Sequence, residues 1–271
     1  MIQSGTPFNG YGEAENYINY YVKEMNVQNY LKLIETAKNK TSFPIIASVN
    51  CLSSSEWVEF ASSIEQAGAD GLELNVFILP ANEKTKSEDL EKEYFEIVQS
   101  VVDKTKLPIA LKMSPYFTAF ARMAVALSET NLKGLVFFNR FYMPDIDITE
   151  LQIINGEIFS TPFDLSNSLR WVGLLAHKVK CDLAVSSGVH NGTGLVKSLL
   201  AGAKVAYAVS TIYKNGIEVI PQMLTDLSNW MDKHNYATID SFRGKLSQKN
   251  ITDPVAYERA QFMKFYSSYS E

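Results

Sequence analysis

Short apolar runs rich in β-branched residues alternate along the chain with longer amphipathic stretches. Most of these runs are apolar throughout, which is typical of parallel strands that are covered on both faces. Repeated strand–helix units predict an α/β protein whose parallel sheet has right-handed crossovers. Six strands are predicted, at Pro44–Val49, Gly71–Val76, Pro108–Met113, Gly134–Phe138, Asp182–Ser186 and Lys204–Val209. Helices are predicted at about 55–67, 88–105, 117–129, 164–179, 191–201 and 217–234.

The number of these units bears on the fold class. A closed (β/α)₈ barrel of the TIM type has eight units, whereas the pattern supplies six. The first 43 residues do not provide two more, because a helix is predicted over Asn16–Asn39 and the residues before it are rich in Gly, Asn and Tyr. The pattern therefore leaves two alternatives: a distinct fold with an open sheet, or a TIM-type barrel that lacks its first quarter.

Residues 140–162 interrupt the alternation. This segment is too long for an ordinary strand-to-helix loop, and it contains a plausible hairpin turn at Asn155–Gly156. It follows the carboxyl end of a predicted strand, where barrel enzymes build their active sites. We expect a single domain over residues 1–271, with an irregular and helical segment at 1–43, a strand–helix core at 44–214 that includes the insertion, and a final helix and tail at 215–271.

Composition narrows the classes of protein. The 271 residues are 46% hydrophobic and 20% charged, which is enough for a buried core and argues against disorder. The formal charge of −5 gives no support to a nucleic-acid partner, and no apolar run reaches the roughly 18 residues of a membrane-spanning helix. The first residues lack the pattern of a signal peptide. Two cysteines, Cys51 and Cys181, cannot form a four-thiolate zinc site. We therefore expect a cytoplasmic protein with no metal, membrane or nucleic-acid partner.

Two neighbouring turns could hold a phosphate group. Ser187 and Gly188 follow the fifth predicted strand in a run of small residues that opens a helix, where backbone N–H groups and the helix dipole favour an anion. Ser210 and Thr211 follow the next strand and add hydroxyl groups. Such a pair of turns after the last two strands is a frequent phosphate site in barrels, although each turn alone is as well explained by tight chain reversal.

Three polar side chains stand at the ends of consecutive predicted strands. Lys112 ends an apolar strand, where burying an ammonium is costly unless it meets an anion or an electron-rich ligand. Asn75 and Asn139 end the strands on either side. Side-chain amides both donate and accept hydrogen bonds, so they suit a heterocycle with N–H and C=O groups. Each residue alone has a structural explanation, and the set of three points to one pocket for a small-molecule substrate or cofactor.

In order along the chain, these pieces resemble the dihydroorotate dehydrogenase family of FMN-dependent (β/α)₈ barrels, and in particular a divergent bacterial branch of it. The resemblance implies that the six strands are the last six of eight, with the first two units absent. The resembling segments cover most of residues 43–214: FPIIASVNCLSSSEWVEFASSIEQAGADGLELNV, LPIALKMSPYF, GLVFFNRF and SSGVHNGTGLVKSLLAGAKVAYAVSTIY.

The resemblance implies FMN as cofactor and assigns roles to the candidates. Lys112 matches a lysine that contacts the polar edge of the flavin, where positive charge stabilises the anionic reduced ring. Asn75 and Asn139 match asparagines that bind flavin and substrate amide groups. The turns at Ser187–Gly188 and Ser210–Thr211 would hold the FMN phosphate. A homodimer would agree with the family.

The sequence also departs from the family pattern. Ile78 occupies the position of the usual Cys or Ser base, and isoleucine cannot accept a proton. Loss of a positioned base typically costs about 10²–10⁴-fold in rate. Pro80 replaces a substrate-binding Asn of the same loop, and Arg140 stands where a small hydroxyl residue is usual.

Three hypotheses follow. The first is an FMN oxidoreductase acting on a CH–CH bond, which oxidises dihydroorotate to orotate in pyrimidine synthesis if the family activity is kept. The second is a flavoenzyme that reduces another activated double bond, with Arg140 and the 140–162 insertion recognising an anionic substrate. The third is a truncated or degenerate barrel that binds no flavin, has no catalytic activity and acts structurally or not at all.

Overall fold

The computed structural model describes residues 12–50 and 54–260, so the candidate Cys51 lies outside the described residues. The strands are β1 (Ile46–Val49), β2 (Gly71–Asn75), β3 (Ile109–Met113), β4 (Gly134–Phe137), β5 (Pro144–Asp147), β6 (Gln152–Asn155), β7 (Asp182–Val185) and β8 (Val205–Ala206). The helices are α1 (Gly12–Lys40), α2 (Ser54–Gln66), α3 (Ser87–Val102), α4 (Phe120–Ser128), α5 (Leu165–Leu175), α6 (Gly192–Ala201), α7 (Ser210–Asn215) and α8 (Val219–Lys233). Within these residues, no helix has both the length and the apolar character needed to cross a membrane.

The main sheet is parallel and has the strand order β1-β2-β3-β4-β7-β8. Apart from the inserted β5 and β6, neighbouring strands are consecutive in the chain, and each is joined to the next through a helix. A doubly wound open sheet would reverse its strand order at one point, whereas a barrel continues in one direction. The sheet is therefore an incomplete TIM-type barrel with six of its eight strands in the described residues, as the resemblance predicted.

The two faces of this sheet differ because successive side chains of a strand point to opposite sides. On the outer face, residues such as Leu74, Leu111 and Val185 are fully buried under the helices and form the main core. The inner face is partly open, and Ile46 at its edge is 55% exposed. Lys112, the candidate on β3, therefore stands on the face that a closed barrel would enclose.

Helix α1 covers the free edge of β1. The hydroxyl of Tyr30 donates to the carbonyl of Ser48 at 3.0 Å and accepts from the N–H of the same residue at 2.9 Å. On the other side of β1, next to β2, the carboxylate of Asp70 accepts from the ammonium of Lys38 and from the N–H of Ile45, and these bonds lower the pKa of Asp70. The Tyr30 hydroxyl thus satisfies the backbone groups at the free edge that a neighbouring strand would otherwise bind.

The insertion forms a hairpin, but its turn lies elsewhere than predicted. Strands β5 and β6 pair antiparallel, with Pro144 opposite Asn155, so Asn155–Gly156 is at the open end of the hairpin. The turn lies around Thr149 and Glu150, whose N–H groups donate to the side chain of Asp147 and lower its pKa. Glycine is needed at 156 for a different reason, because a Cβ there would lie 2.5 Å from a backbone oxygen.

The predicted strands are mostly one or two residues too long, and the largest difference is at the last one. The run Lys204–Val209 contributes only Val205–Ala206 to the sheet, and Ser210 begins the short helix α7. A strand at the edge gains hydrogen bonds on one side alone, so β-branched composition does not suffice to extend it. The tail after α8 contains 3₁₀ turns, and its Phe242 is buried in a second apolar cluster against α6 and α8.

Candidate functional site

Lys112 projects from the inner face of β3 into a polar cluster. Its Nζ atom lies 3.7 Å from Oε1 of Glu73 and 5.3 Å from the centre of the Tyr207 ring. The side chain is 17% exposed. Among the described residues, no acceptor lies within hydrogen-bond distance of this ammonium. A mostly buried cation without a hydrogen-bond acceptor is the kind of group that a ligand oxygen satisfies.

Glu73 is the centre of this cluster, and the sequence analysis did not single it out. Its carboxylate is 2% exposed and accepts hydrogen bonds from the Ser48 hydroxyl at 2.6 Å and from the Tyr207 hydroxyl at 2.8 Å. Burial, with the charge of Glu73 and the bond to it, raises the pKa of Tyr207 above its ordinary value. A lone glutamate in the middle of the strand run Gly71–Val76, between two leucines, was the signal that could have revealed it.

Asn75 and Asn139 lie at the carboxyl ends of β2 and β4, on either side of β3. The amide nitrogen of Asn139 donates to the carbonyl of Val76 at 2.6 Å and lies 3.5 Å from the carbonyl of Lys112. Asn139 is 5% exposed. The Oδ1 atoms of both asparagines are buried and have no hydrogen-bond partner among residues 12–50 and 54–260. Both asparagines flank the strand end that carries Lys112, and their amide oxygens together with its ammonium suit a ligand with N–H and C=O groups.

The two predicted phosphate turns come together through a residue that the sequence analysis missed. Ser160, at the end of the insertion, is buried, and its Oγ accepts from the N–H of Gly188 at 3.3 Å. Its own N–H donates to Oγ of Ser210 at 3.0 Å, and its hydroxyl lies 3.1 Å from Nε2 of His190. The loops after β7 and β8 therefore meet at one point, and hydroxyl, amide and imidazole groups converge there.

The backbone of the first turn explains its small residues. Ser187 and Gly188 both have left-handed φ angles, of 74° and 80°. A Cβ at Gly188 would lie 2.2 Å from the backbone nitrogen of Leu165, so the start of α5 approaches too closely for any other residue. A non-glycine residue in this conformation stores strain, which proteins tolerate mainly at functional sites.

Thr211 contributes differently from its neighbour Ser210. It is fully buried, and its hydroxyl donates to the carbonyl of His190 and accepts from the side chain of Asn215. These bonds hold α7 against the loop after β7. The side chain of Thr211 therefore fixes the relative position of the two turns, while Ser210 is the partly exposed hydroxyl of the pair.

Arg140 is held by the insertion. Its two terminal nitrogens donate to the backbone carbonyls of Glu157 and Ile158, and its Nε atom is buried without a partner. Arg140 lines a cavity of about 340 Å³ with Asn139 and Ser187, at the carboxyl ends of β3, β4 and β7. In this structure the guanidinium fastens the base of the hairpin, so its terminal nitrogens are engaged by the protein itself.

Ile78 lies in the loop after β2 and packs against the core. It lines a second cavity, of about 270 Å³, together with Tyr94 and Tyr116 beside α3. Pro80 lines the same cavity. Neither Ile78 nor Pro80 lines the cavity of Asn139 and Ser187. Because isoleucine and proline have no titratable side chain, the loop presents none at positions 78 and 80.

Known proteins of one family are similar in sequence to this chain. Dihydroorotate dehydrogenase (fumarate) of Lachancea kluyveri is 27% identical over 238 residues, which is 80% of this chain and 74% of that protein. The catalytic subunit of dihydroorotate dehydrogenase B (NAD(+)) of Pyrococcus furiosus is 24% identical, over 80% of this chain and 73% of its own. The NAD-dependent dihydropyrimidine dehydrogenase subunit PreA of Escherichia coli K12 is 22% identical, over 96% and 66%. The sequence model of the family described as dihydroorotate dehydrogenase matches residues 5–231, and the chain therefore belongs to that family.

Proposed function

We propose that this protein is an FMN-dependent oxidoreductase that acts on a carbon–carbon bond of its substrate. The site of this reaction would lie at the carboxyl edge of the sheet. Enzymes of the family are flavin-dependent oxidoreductases. The observation that carries the proposal is the grouping, at one edge, of the Lys112 ammonium, two buried amide oxygens without partners and the joined turns at Gly188 and Ser210.

The unpartnered atoms are a test of whether FMN suits the site. The pyrimidine part of a flavin carries an N–H group between two carbonyl groups. An ammonium without an acceptor, that of Lys112, complements a carbonyl oxygen, and the Oδ1 atoms of Asn75 and Asn139 complement an N–H donor. The hydrogen-bond donors and acceptors of the flavin thus complement atoms that have no partner in the described part of the protein, and these residues fit FMN.

The joined turns suit the phosphate end of the same molecule. The hydroxyls of Ser160 and Ser210, the N–H of Gly188 and the imidazole of His190 lie within one hydrogen-bonded cluster. Each can donate to a phosphate oxygen once its present partner is exchanged. The partly exposed Ser187, in its left-handed conformation, lies beside them on the cavity wall.

Bound FMN would supply hydride transfer, and the chain's own residues would position and polarise it. Lys112 would hold positive charge near the pyrimidine edge, where reduction adds negative charge to the ring. Asn75 and Asn139 would orient flavin or substrate amides. Ile78 holds no proton, so a proton removed from substrate carbon must go to a group other than the usual base.

The substrate divides the proposal in two. Two of the relatives described above are named for dihydroorotate and one for dihydropyrimidine. Dihydroorotate oxidation to orotate is the first candidate, on the family resemblance. The second candidate is reduction of a different activated double bond, in which the reduced flavin would supply hydride to one carbon and a group other than Ile78 would supply the proton to the other. For this second candidate, recognition of an anionic substrate by Arg140 would use Nε or require release of the hairpin carbonyls.

Cofactor binding is the first test. Purified protein titrated with FMN should quench flavin fluorescence with one site per chain and remain yellow after desalting. Protein that stays colourless and leaves FMN fluorescence unchanged would contradict the proposal and support a barrel that binds no flavin.

Dihydroorotate turnover is the second test. We expect a rate at least about 10²-fold below the roughly 10 s⁻¹ typical of enzymes, because the base position holds isoleucine. The rate of orotate formation with an artificial electron acceptor measures this turnover. The exposed-site variant Ile148→Val is the control and should have the same rate as the wild-type protein. Turnover at an ordinary rate would show that another group serves as base.

A further inference from the structure

We infer that Glu73 is a positioning residue, which fixes the Lys112 ammonium at the flavin site and limits its electrostatic effect on the bound flavin. This inference rests on the proposed FMN site and extends it to a residue below the site. Glu73 would not touch the flavin and would act through Lys112.

The contacts of Glu73 span the inner face of the sheet. Its two oxygens are bonded by Ser48 on β1 and by Tyr207 just after β8, and Lys112 on β3 stands beside them. One carboxylate on β2 thereby connects both edge regions of the incomplete barrel with the strand that carries the ammonium. Ser48, Lys112 and Tyr207 come from three other parts of the sheet, so together they hold the carboxylate in one position.

Burial makes this arrangement costly as a purely structural device. A carboxylate that is 2% exposed loses nearly all of its hydration, and replacing a buried ion pair with apolar residues is often neutral or stabilising. A charge retained here therefore calls for an explanation beyond packing.

The geometry of the pair points to a ligand. A direct ammonium–carboxylate hydrogen bond has a length of about 2.7–2.9 Å, whereas Nζ of Lys112 lies 3.7 Å from Oε1 of Glu73. The two oxygens of Glu73 are already engaged by hydroxyl donors. The ammonium is thus held by attraction, while within the part of the chain that the structure describes its N–H groups remain available to another acceptor.

The sign of the electrostatic effect follows from the charges. Reduction adds negative charge to a flavin, so a nearby cation raises the reduction potential and a nearby anion lowers it. Glu73 offsets part of the field of Lys112, and its attraction also draws the ammonium away from the ligand. Removing the carboxylate charge ends both effects, and the bound flavin should be easier to reduce.

The test is a double-mutant cycle on the reduction potential of bound FMN, measured by equilibration with a reference dye. In Glu73→Gln we expect the reduced-to-oxidised ratio at a fixed potential to rise about tenfold, which is a positive shift of about 30 mV for two electrons. In Lys112→Met we expect a negative shift. Glu73→Gln added to Lys112→Met should give less than half of its single effect, because the ammonium that Glu73 restrains is absent and only the direct field of the carboxylate is removed.

Controls separate this inference from folding and from the proposed function. Glu150→Gln, on the exposed hairpin, removes the same charge at a distance and should leave the potential unchanged. If Glu73→Gln does not fold, Glu73→Asp keeps the charge but withdraws it, and a smaller positive shift is expected. Wild-type potential in the folded Glu73 variants, or equal shifts with and without Lys112, would overturn the inference while FMN binding stands. Wild-type protein that binds no FMN would overturn the proposed function and the inference with it.

Discussion

Lys112 and Glu73 show how far single residues could be predicted from the sequence. An ammonium at the end of an apolar strand is expensive to bury, so Lys112 could be selected from local context alone. The contact between its partners could not be predicted in this way. Tyr207 is 95 positions further along the chain than Lys112, and it meets Glu73 only because the sheet curves. Ser160 was missed for the same reason, since nothing in the insertion indicates that it joins Gly188 to Ser210.

The thiol of Cys181 gives a prediction at this scale. Burial, with the charge of Asp182, raises the pKa of Cys181 from 9.0 to about 11. At pH 8 the thiolate should therefore be about 100-fold scarcer in the folded than in the unfolded chain. The thiol also favours the folded state below pH 9, and that contribution is lost as the pH rises towards 11.

Alkylation by iodoacetamide at pH 8 measures this difference in a Cys51→Ser background, where Cys181 is the remaining cysteine. We expect the native protein to react at least about 100-fold more slowly than the same protein in urea. Native and denatured rates within tenfold of each other would contradict the raised pKa.

Secondary structure followed the hydrophobic pattern where tertiary packing supports it. The core strands and the helices between them lie close to their predicted positions, because one face of each apolar run is buried under the helices. The pattern was misleading in the hairpin, where Asn155–Gly156 has the sequence of a turn. These residues lie instead at the end of the hairpin away from its turn, where the N–H of Gly156 donates to the carbonyl of Met143. It was also misleading at β8, where a strand-like run of six residues pairs over two.

The edge of β1 gives a prediction at the scale of an element. Tyr30→Phe removes the hydroxyl that satisfies both backbone groups of Ser48. We expect the free energy of unfolding in urea to fall by about 0.5–1.5 kcal/mol, since water can partly replace this partly exposed bond. Edge-to-edge aggregation should also increase.

Tyr213→Phe is the matched control, because Tyr213 is 77% exposed and its hydroxyl has no hydrogen-bond partner among the described residues. It should change stability by less than about 0.5 kcal/mol. Equal effects of the two substitutions would show that α1 does not protect the edge through Tyr30.

At the scale of the whole molecule, the order of strands decides the fold. Counting units left an open sheet and an incomplete barrel as alternatives, and only the unreversed order β1-β2-β3-β4-β7-β8 distinguishes them. The same order brings the carboxyl ends of consecutive strands side by side, which is why residues chosen at separate strand ends, such as Asn75, Lys112 and Asn139, lie together. A single domain over 1–271, a homodimer and cytoplasmic location remain predictions.

The claim that this edge of the sheet holds FMN is tested most directly by calorimetric titration of the wild-type protein with FMN and with riboflavin, which lacks the phosphate. We predict one FMN site per chain and at least about tenfold weaker binding of riboflavin, because the turns joined by Ser160 would lose their ligand. Equal affinities for the two flavins, or no heat of binding with either, would contradict it.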